Sequence, residues 1–318
     1  SLQILFAQFP VDLSADEITD PFTYQVNQES EFLLTLIAST NTNWSLSESE
    51  SSTLVVAVDG EWENYNQDIV LYAGDTNHQY HISLGHLDTG EHTIEFKFDY
   101  NKSSLGAEHI HIESVDIIDI ASIDIDPDVL LHSPILYGRD LLSWNESIHT
   151  DIPLIMFYET SPFIPDMYGG YQKTITYSII FSNEDSRVGL GLSDLMFSYG
   201  RTTDIEWMYE VVIDENNNII SEIFQGASHT TTDFSGEKIG KHPILKNATL
   251  NCNFTDIGTS NYKFFLSPLV HYNMPEVDIS LHTREIIMDE HPWTYRIMGE
   301  ELMNENRYEL EATPSTVE

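Results

Sequence analysis

The sequence predicts an all-β protein: two antiparallel, sandwich-like domains with one C-terminal helix. Three observations carry that expectation. Apolar residues recur with period two through much of the chain, the spacing that lines one face of a strand. Turn sequences such as Asp59-Gly60, Ala73-Gly74-Asp75 and Asp88-Thr89-Gly90 punctuate these runs at short intervals. Stripes with the helical period of 3.6 residues are scarce.

Taken in order, residues 32–40, 53–58, 68–73, 79–84, 92–99 and 109–120 read as strands of an N-terminal sandwich spanning residues 1–125. Residues 126–135 read as a linker, because Asp126-Pro127 and Ser133-Pro134 push the chain toward extended backbone. A second β-rich domain follows over residues 136–318. Its expected strands are 152–158, 173–182, 204–213, 218–224 and 261–267, with Asp214–Asn218 as a hairpin loop by its Asp/Asn content. Residues 292–306 alone read as a helix, with Pro292 suited to a first turn and Ile297 and Leu302 supplying an apolar face.

Composition bounds the setting. The 318 residues hold 52 Asp and Glu against 13 Lys and Arg, a formal net charge of −39. Before Arg139, the first arginine, the basic residues are Lys97 and Lys102. Such a chain repels nucleic acid and anionic membranes and needs screening salt or bound cations. Hydrophobic residues at 41% and aromatics at 11% are enough for real cores, so the acidity reads as a solvated skin rather than disorder. Cys252 stands alone, which excludes an intrachain disulfide, and it reads as a small buried apolar residue. No window reaches the ~18–20 consecutive apolar residues of a helical membrane span. A start at Ser1 suits a processed, mature form. Five Asn-x-Ser/Thr sequons, at Asn43, Asn101, Asn145, Asn247 and Asn253, add to the expectation of an extracellular or cell-surface glycoprotein. A cytoplasmic halophile protein is the competing setting.

Two segments resemble known sequences. The run Tyr80–Ile94 (YHISLGHLDTGEHTI) resembles a closing hairpin of secreted β-sandwich modules, carbohydrate-binding ones among them. Phe181–Asp185 (FSNED), Tyr199–Trp207 (YGRTTDIEW), Lys241–Ile244 (KHPI) and Met288–Trp293 (MDEHPW) resemble blocks of uncharacterised secreted bacterial proteins, over about residues 136–295. That resemblance implies export and no particular activity.

Several constellations could carry chemistry. His109, His111 and Glu113 alternate with Ile110 and Ile112, so a strand would put three metal-ligating side chains on one face. The competing reading is a polar stripe facing solvent. Asp124, Asp126 and Asp128 present hard oxygen ligands at alternating positions, the chemistry of a Ca2+ site, although the glycine and distal glutamate of a calcium loop are absent. Asp214 and its Asn-rich loop are a weaker calcium candidate, with a solvated hairpin tip as the alternative. Asp204 and Glu206 would point the same way on a strand beside Arg201, which should have a specific carboxylate partner. Glu184, Asp185 and His229 could join them in the paired-carboxylate arrangement of a glycoside hydrolase, or all could form a structural Arg–acid network. Trp44, Trp62, Tyr65 and Tyr72 are either sugar-stacking platforms or ordinary core residues. The apolar start, with Leu2, Ile4, Leu5, Phe6 and Phe9, suits a strand completing a sheet in a neighbouring subunit.

Two functions follow. The first is a self-assembling extracellular structural subunit of a filament, tube or surface layer, calcium-braced and glycosylated, a homo-oligomer or polymer without catalytic residues. The alternative is a secreted carbohydrate-binding or carbohydrate-active protein, hydrolase or lyase, with a glycan as partner. No nucleophile elbow, phosphate loop or HExxH motif is present.

Overall fold

A computed structural model describes residues 9–62, 67–140, 149–165, 170–184, 192–272 and 284–305. The architecture is all-β and sandwich-like with a C-terminal helix, as the alternation implies. The chain divides into two compact units, one of residues 1–131 with 261–267, the other of residues 132–260 with 268–318. No helix among the described residues is long and apolar enough to cross a membrane.

The first unit contains β1 (Val11–Ser14), β2 (Phe22–Val26), β3 (Ser30–Thr40), β4 (Ser52–Val58), β5 (Gln67–Leu71), β6 (His78–Leu87), β7 (Gly90–Phe98) and β8 (His109–Asp119). They form two four-stranded antiparallel sheets, ordered β1-β8-β3-β6 and β2-β7-β4-β5. The interior strands β3 and β4 are covered on both sides. All seven residues of β4 are buried, which is why its Leu54-Val55-Val56-Ala57-Val58 reads as a continuous apolar run. By contrast, β8 has one solvated face and keeps the alternation. Gly74 shows why turn chemistry punctuates these strands. Its φ is +69°, and a Cβ there would lie 2.8 Å from the Thr42 carbonyl oxygen, so only glycine fits the turn after β5.

After α1 (Pro127–Leu131), the last helix of the first unit in chain order, the second unit contains β9 (Ile135–Tyr137), β10 (Pro153–Thr160), β11 (Ile164–Pro165), β12 (Tyr171–Phe181), α2 (Leu192–Tyr199), β13 (Ile205–Asp214), β14 (Ile219–Gly226), β15 (Thr230–Asp233), β16 (Lys238–Ile239), β17 (His242–Asn247) and β18 (Phe254–Thr255). After β19 (Lys263–Phe264), which lies in the first unit, come β20 (Val270–His271), α3 (Ile286–Glu290) and α4 (Trp293–Asn304). The main sheet runs β15-β14-β13-β12-β10-β20, with β11 on β12. A smaller group pairs β16 and β18 antiparallel, and β9 parallel, with β17. One face of the main sheet packs Phe157, Ile180 and Ile205 against Ile287 and Met288 of α3. The other face brings Phe181 onto Phe254 of β18, with ring centroids 6.3 Å apart. Each such fully buried phenylalanine contributes about 1.5–3 kcal/mol through the water it sheds.

Three sequence expectations change here. Residues 261–267, read as a strand of the second domain, pack into the first unit, where the Phe265 carbonyl accepts from Ser83 N at 2.7 Å. Residues 292–306 are not the one helix, since α1, α2 and α3 precede α4 among the described residues. The Asp126-Pro127 step, read as extended linker, opens α1 instead. Proline restricts the residue before it and is itself suited to a first helical position, and Asp126 Oδ1 accepts from Asp128 N at 3.1 Å in the manner of an N-cap.

Candidate functional site

The site begins with an irregularity in the strand pairing. Along β12 and β13, Tyr177 faces Tyr209, but Ser178 faces Trp207 and Ile179 faces Glu206, so Met208 is an extra residue on β13. A one-residue bulge changes which side chains share a face. In a regular strand Glu206 would lie opposite Tyr209 and Val211. Here the register puts Glu206 across from Ile179, on the face that carries Tyr177 and Tyr209. Asp204, two residues earlier, shares that direction, while Ile205 between them enters the apolar cluster under α3.

Asp204 and Glu206 both line a cavity of about 750 Å3, together with Glu184, Tyr199, Arg201, Ser228, His229, Asn251 and Asn253. Asp204 is 7% exposed, and its Oδ2 has no hydrogen-bond partner. Burial, then the charges of Glu206 and Glu184, push Asp204 well above the usual carboxylate range, and Arg201 only partly opposes this. Burial raises Glu206 as well. It is opposed by the Gln225 amide, which donates to Glu206 Oε2 at 2.5 Å, and by His229, whose Nδ1 lies 3.4 Å from Oε1. The pair is thus unequal: one carboxyl is enclosed and unpartnered, the other held by an amide and an imidazole.

The walls are fixed by local structure. Ser228 and His229 both adopt left-handed backbone, with φ of 59° and 57°, an uncommon conformation for two successive non-glycine residues. Asn253 Oδ1 secures the turn by accepting from Ser228 N at 3.1 Å. The amides of Gln225 and Asn251 sit 2.8 and 3.1 Å from the two ring nitrogens of His229. Arg201 finds the carboxylate partner expected of it in Glu285, at 2.9 Å, and its guanidinium stacks on Tyr199 at 5.1 Å. Cys252 is fully buried beside this wall, and burial raises its thiol well above the usual value, so it is not poised as a nucleophile.

The metal candidates do not converge. His109, His111 and Glu113 do share the outward face of β8, opposite the buried Ile110 and Ile112. However, His111 Nδ1 lies 2.7 Å from Asp12 Oδ1 on β1 and Nε2 lies 3.1 Å from Glu113 Oε2, so carboxylates occupy both ring nitrogens. Asp124 and Asp126 are exposed, and Asp126 is engaged in capping α1. Asp214 spends its oxygens on its own turn, accepting from Asn216 N, Asn218 N and Asn218 Nδ2 at 2.8, 2.8 and 2.9 Å. Among the described residues, the one grouping of three ligand atoms within 4.8 Å is the exposed Glu29, His86 and Asp88.

The hydrogen bonds and charges of Asp12 and Glu113 raise the His111 pKa. Serine 39, its cross-strand neighbour on β3, brings no charge. Because the folded value lies above the unfolded one, this clamp of β1 onto β8 is fully present below about pH 6.5 and is lost as pH rises through the folded pKa. The melting temperature of the native protein relative to His111→Gln should therefore fall across that rise. A constant difference across the range would count against the clamp.

Other candidates are placed as follows. Trp44 and Tyr72 are core residues rather than platforms, with ring centroids 6.5 Å apart, while Trp62 is half-buried. Asn247 and Asn253 are buried, and Asn43 and Asn101 are exposed. If the protein passes through a glycosylating compartment, peptide mapping by mass spectrometry should find glycans on Asn43 and Asn101 and none on Asn247 or Asn253. Phe9 stacks edge-on against Phe22 at 5.7 Å within its own unit, so it is not a free assembly anchor. Leu2, Ile4, Leu5, Phe6, Tyr65, Asn145 and Asp185 lie outside the described residues.

No protein-family model matches this sequence. No curated protein matches it either. Among solved structures, a sugar-binding protein, the EclA C-terminal domain, is similar at 11% identity and a TM-score of 0.25, over 35% of this chain and 79% of that one. A carbohydrate-binding module of Cellvibrio mixtus lichenase 5A in complex with cellotriose is similar at 11% identity and 0.23, over 33% and 72%. A Podospora anserina GH26-CBM35 β-(1,4)-mannanase is similar at 14% identity and 0.23, over 40% and 32%.

Proposed function

We propose that this is a secreted carbohydrate-active protein whose second unit binds a glycan in the β13 cavity and hydrolyses a glycosidic bond there. The observation that carries this reading is the unequal pair Asp204 and Glu206 on one cavity wall. Two carboxyl groups whose surroundings differ in this way suit an acid and a base acting together. Asp204, held protonated, gives its proton to the departing glycosidic oxygen. Glu206, ionised, takes a proton from the water that attacks the anomeric carbon. One C–O bond breaks, one forms, and solvent restores both groups. Tyr199 offers a ring face, and Asn251 and Asn253 place amides on the cavity wall, the mixture that sugar hydroxyls and sugar faces require.

The test is incubation of the purified protein with a broad panel of oligosaccharides, followed by chromatography of the products and by direct binding. Cleavage that vanishes in Asp204→Asn supports the reading. Neither binding nor cleavage of any member removes it. The competing structural-subunit reading rests on the apolar start from Leu2 to Phe9, the acidic surface, the sequons and the lack of catalytic motifs, and no contact among the described residues favours it.

A further inference from the structure

We propose that the first unit carries a site for a divalent transition-metal ion of the zinc class, made by Glu29, His86 and Asp88. It is separate from the β13 cavity and does not depend on the carbohydrate reading. The topology brings these residues together. Two connections cross between the two sheets of this unit, residues 27–29 from β2 to β3 and residues 88–89 from β6 to β7. Ladder pairs fix both ends of both crossings, Val26 with Gly90 in one sheet and Ser30 with Leu87 in the other. The crossings therefore run side by side, with Glu29 on one and Asp88 on the other. His86 joins them from β6, directly opposite Glu31 of β3.

One ligand atom from each of Glu29, His86 and Asp88 lies within 4.8 Å of the other two. Carboxylates stand off both ring nitrogens of His86: Nε2 is 3.6 Å from Asp88 Oδ1, and Nδ1 is 3.6 Å from Glu31 Oε1. These separations are too long for direct hydrogen bonds. On the Asp88 side the spacing fits two ligands of one ion. A nitrogen and an oxygen each ~2.1 Å from a tetrahedral metal are about 3.4 Å apart. His111, in the same sheet, shows the contrast. Its nitrogens lie 2.7 and 3.1 Å from carboxylate oxygens, so direct contacts fill the place of an ion.

The surroundings match a metal-bound histidine. With the ion on Nε2, the carboxylate of Glu31 flanks the opposite nitrogen from a side chain only 7% exposed, where it orients the ring. The crossing that carries Asp88 is also held in place. His92 Nε2 donates to the Asp88 carbonyl at 2.8 Å, and His92 Nδ1 lies 2.7 Å from Asp59 Oδ2. The side chains of His86 and Asp88 are 50% and 85% exposed, so the ion enters from solvent. One imidazole with two carboxylates is a donor set for zinc and its neighbours, whereas calcium takes about six to eight oxygens. An ion here ties the two crossings together and offsets repulsion between carboxylates in a chain of net charge −39.

The experiment is titration calorimetry of the full chain with zinc chloride at neutral pH, with calcium chloride as a second titrant. The native protein should bind zinc in preference to calcium. His86→Gln and Asp88→Asn should each weaken that binding step by at least about tenfold. Glu31→Gln should weaken it by about 10–100-fold, the effect of removing a partner behind a metal-bound histidine. His111→Gln should bind zinc as the native protein does. Zinc should raise the melting temperature of the native protein but not that of His86→Gln. Melts without metal confirm that each variant folds. Absence of zinc binding overturns the proposal. So does zinc binding unchanged in His86→Gln, since the acidic surface alone would then collect the ion. Calcium bound as tightly as zinc, and lost in Asp88→Asn but not in His86→Gln, overturns it too, because the imidazole would then be no ligand.

Discussion

Asp204→Asn and Glu206→Gln should each lower glycan turnover by about 10^2–10^4-fold, the usual contribution of a positioned acid or base. Each variant replaces a carboxylate with an isosteric amide, so folding should survive while proton transfer does not. The pH profile separates the two roles. Activity requires Glu206 ionised and Asp204 protonated. It should therefore rise with pH as Glu206 loses its proton and fall at higher pH as Asp204 loses its own. Burial raises both groups, so both limbs should lie above the range of ordinary carboxylates. Removing Glu206 should flatten the rising limb, and removing Asp204 the falling one, in whatever activity remains. Full turnover in either variant would sink the acid–base assignment.

Lys102→Met should destabilise the first unit by about 3–5 kcal/mol, the scale of breaking one side of a buried ion pair. Lys102 Nζ lies 2.7 Å from Asp68 Oδ1, and the Asp68 side chain is 1% exposed. Asp68 Oδ2 accepts from Lys263 N at 2.8 Å, so one carboxylate joins β5, the loop after β7 and the returning segment 261–267. Lys102 also sits over the Tyr262 ring at 5.3 Å. The loss comes from the carboxylate left behind more than from the bond removed. Burial already raises Asp68 against the pull of Lys102, and without Lys102 it should rise further. A buried acid with a raised folded pKa is tolerated when protonated and costs stability as pH rises. The penalty, read by urea unfolding, should therefore grow from acidic to neutral pH. Adding Asp68→Asn to Lys102→Met should recover part of it. A variant within about 0.5 kcal/mol of the native protein at neutral pH would show the pair to be dispensable.

These two results test how so acidic a chain uses its few cations. Lys102 enters a buried bridge, Arg139 pairs with Asp151 at 3.2 Å, and Arg201 pairs with Glu285. Other charged groups are buried as well, Glu31, Glu50, Asp204, Glu206 and Glu301 among them, while charges on the surface are screened by salt. At the cavity, three carboxyl groups, Glu184, Asp204 and Glu206, line one space.

Much of the fold was legible in the residues. The runs read as strands at 32–40, 53–58, 79–84, 92–99, 173–182 and 204–213 correspond to β3, β4, β6, β7, β12 and β13. Period-two alternation and turn chemistry are local, so a sequence displays them directly. Part of the cavity was legible for the same reason: Asp204 and Glu206 are two residues apart and had to point together. The helices α1 and α3, at five residues each, are too short to show a periodic face. Their existence depends on caps and on packing against the sheet.

The sequence by itself therefore determined an all-β chain with an acidic skin, sparing use of cations, and a pair of carboxylates aimed in one direction. Tertiary structure decided what that direction was. The bulge at Met208 turns Glu206 onto the Tyr177 face, Glu285 comes back across 84 residues to occupy Arg201, and residues 261–267 return to the first unit. None of these leaves a periodic trace, because each is a contact between segments far apart in the chain. Its free energy comes from burial and pairing that exist only once both segments are in place.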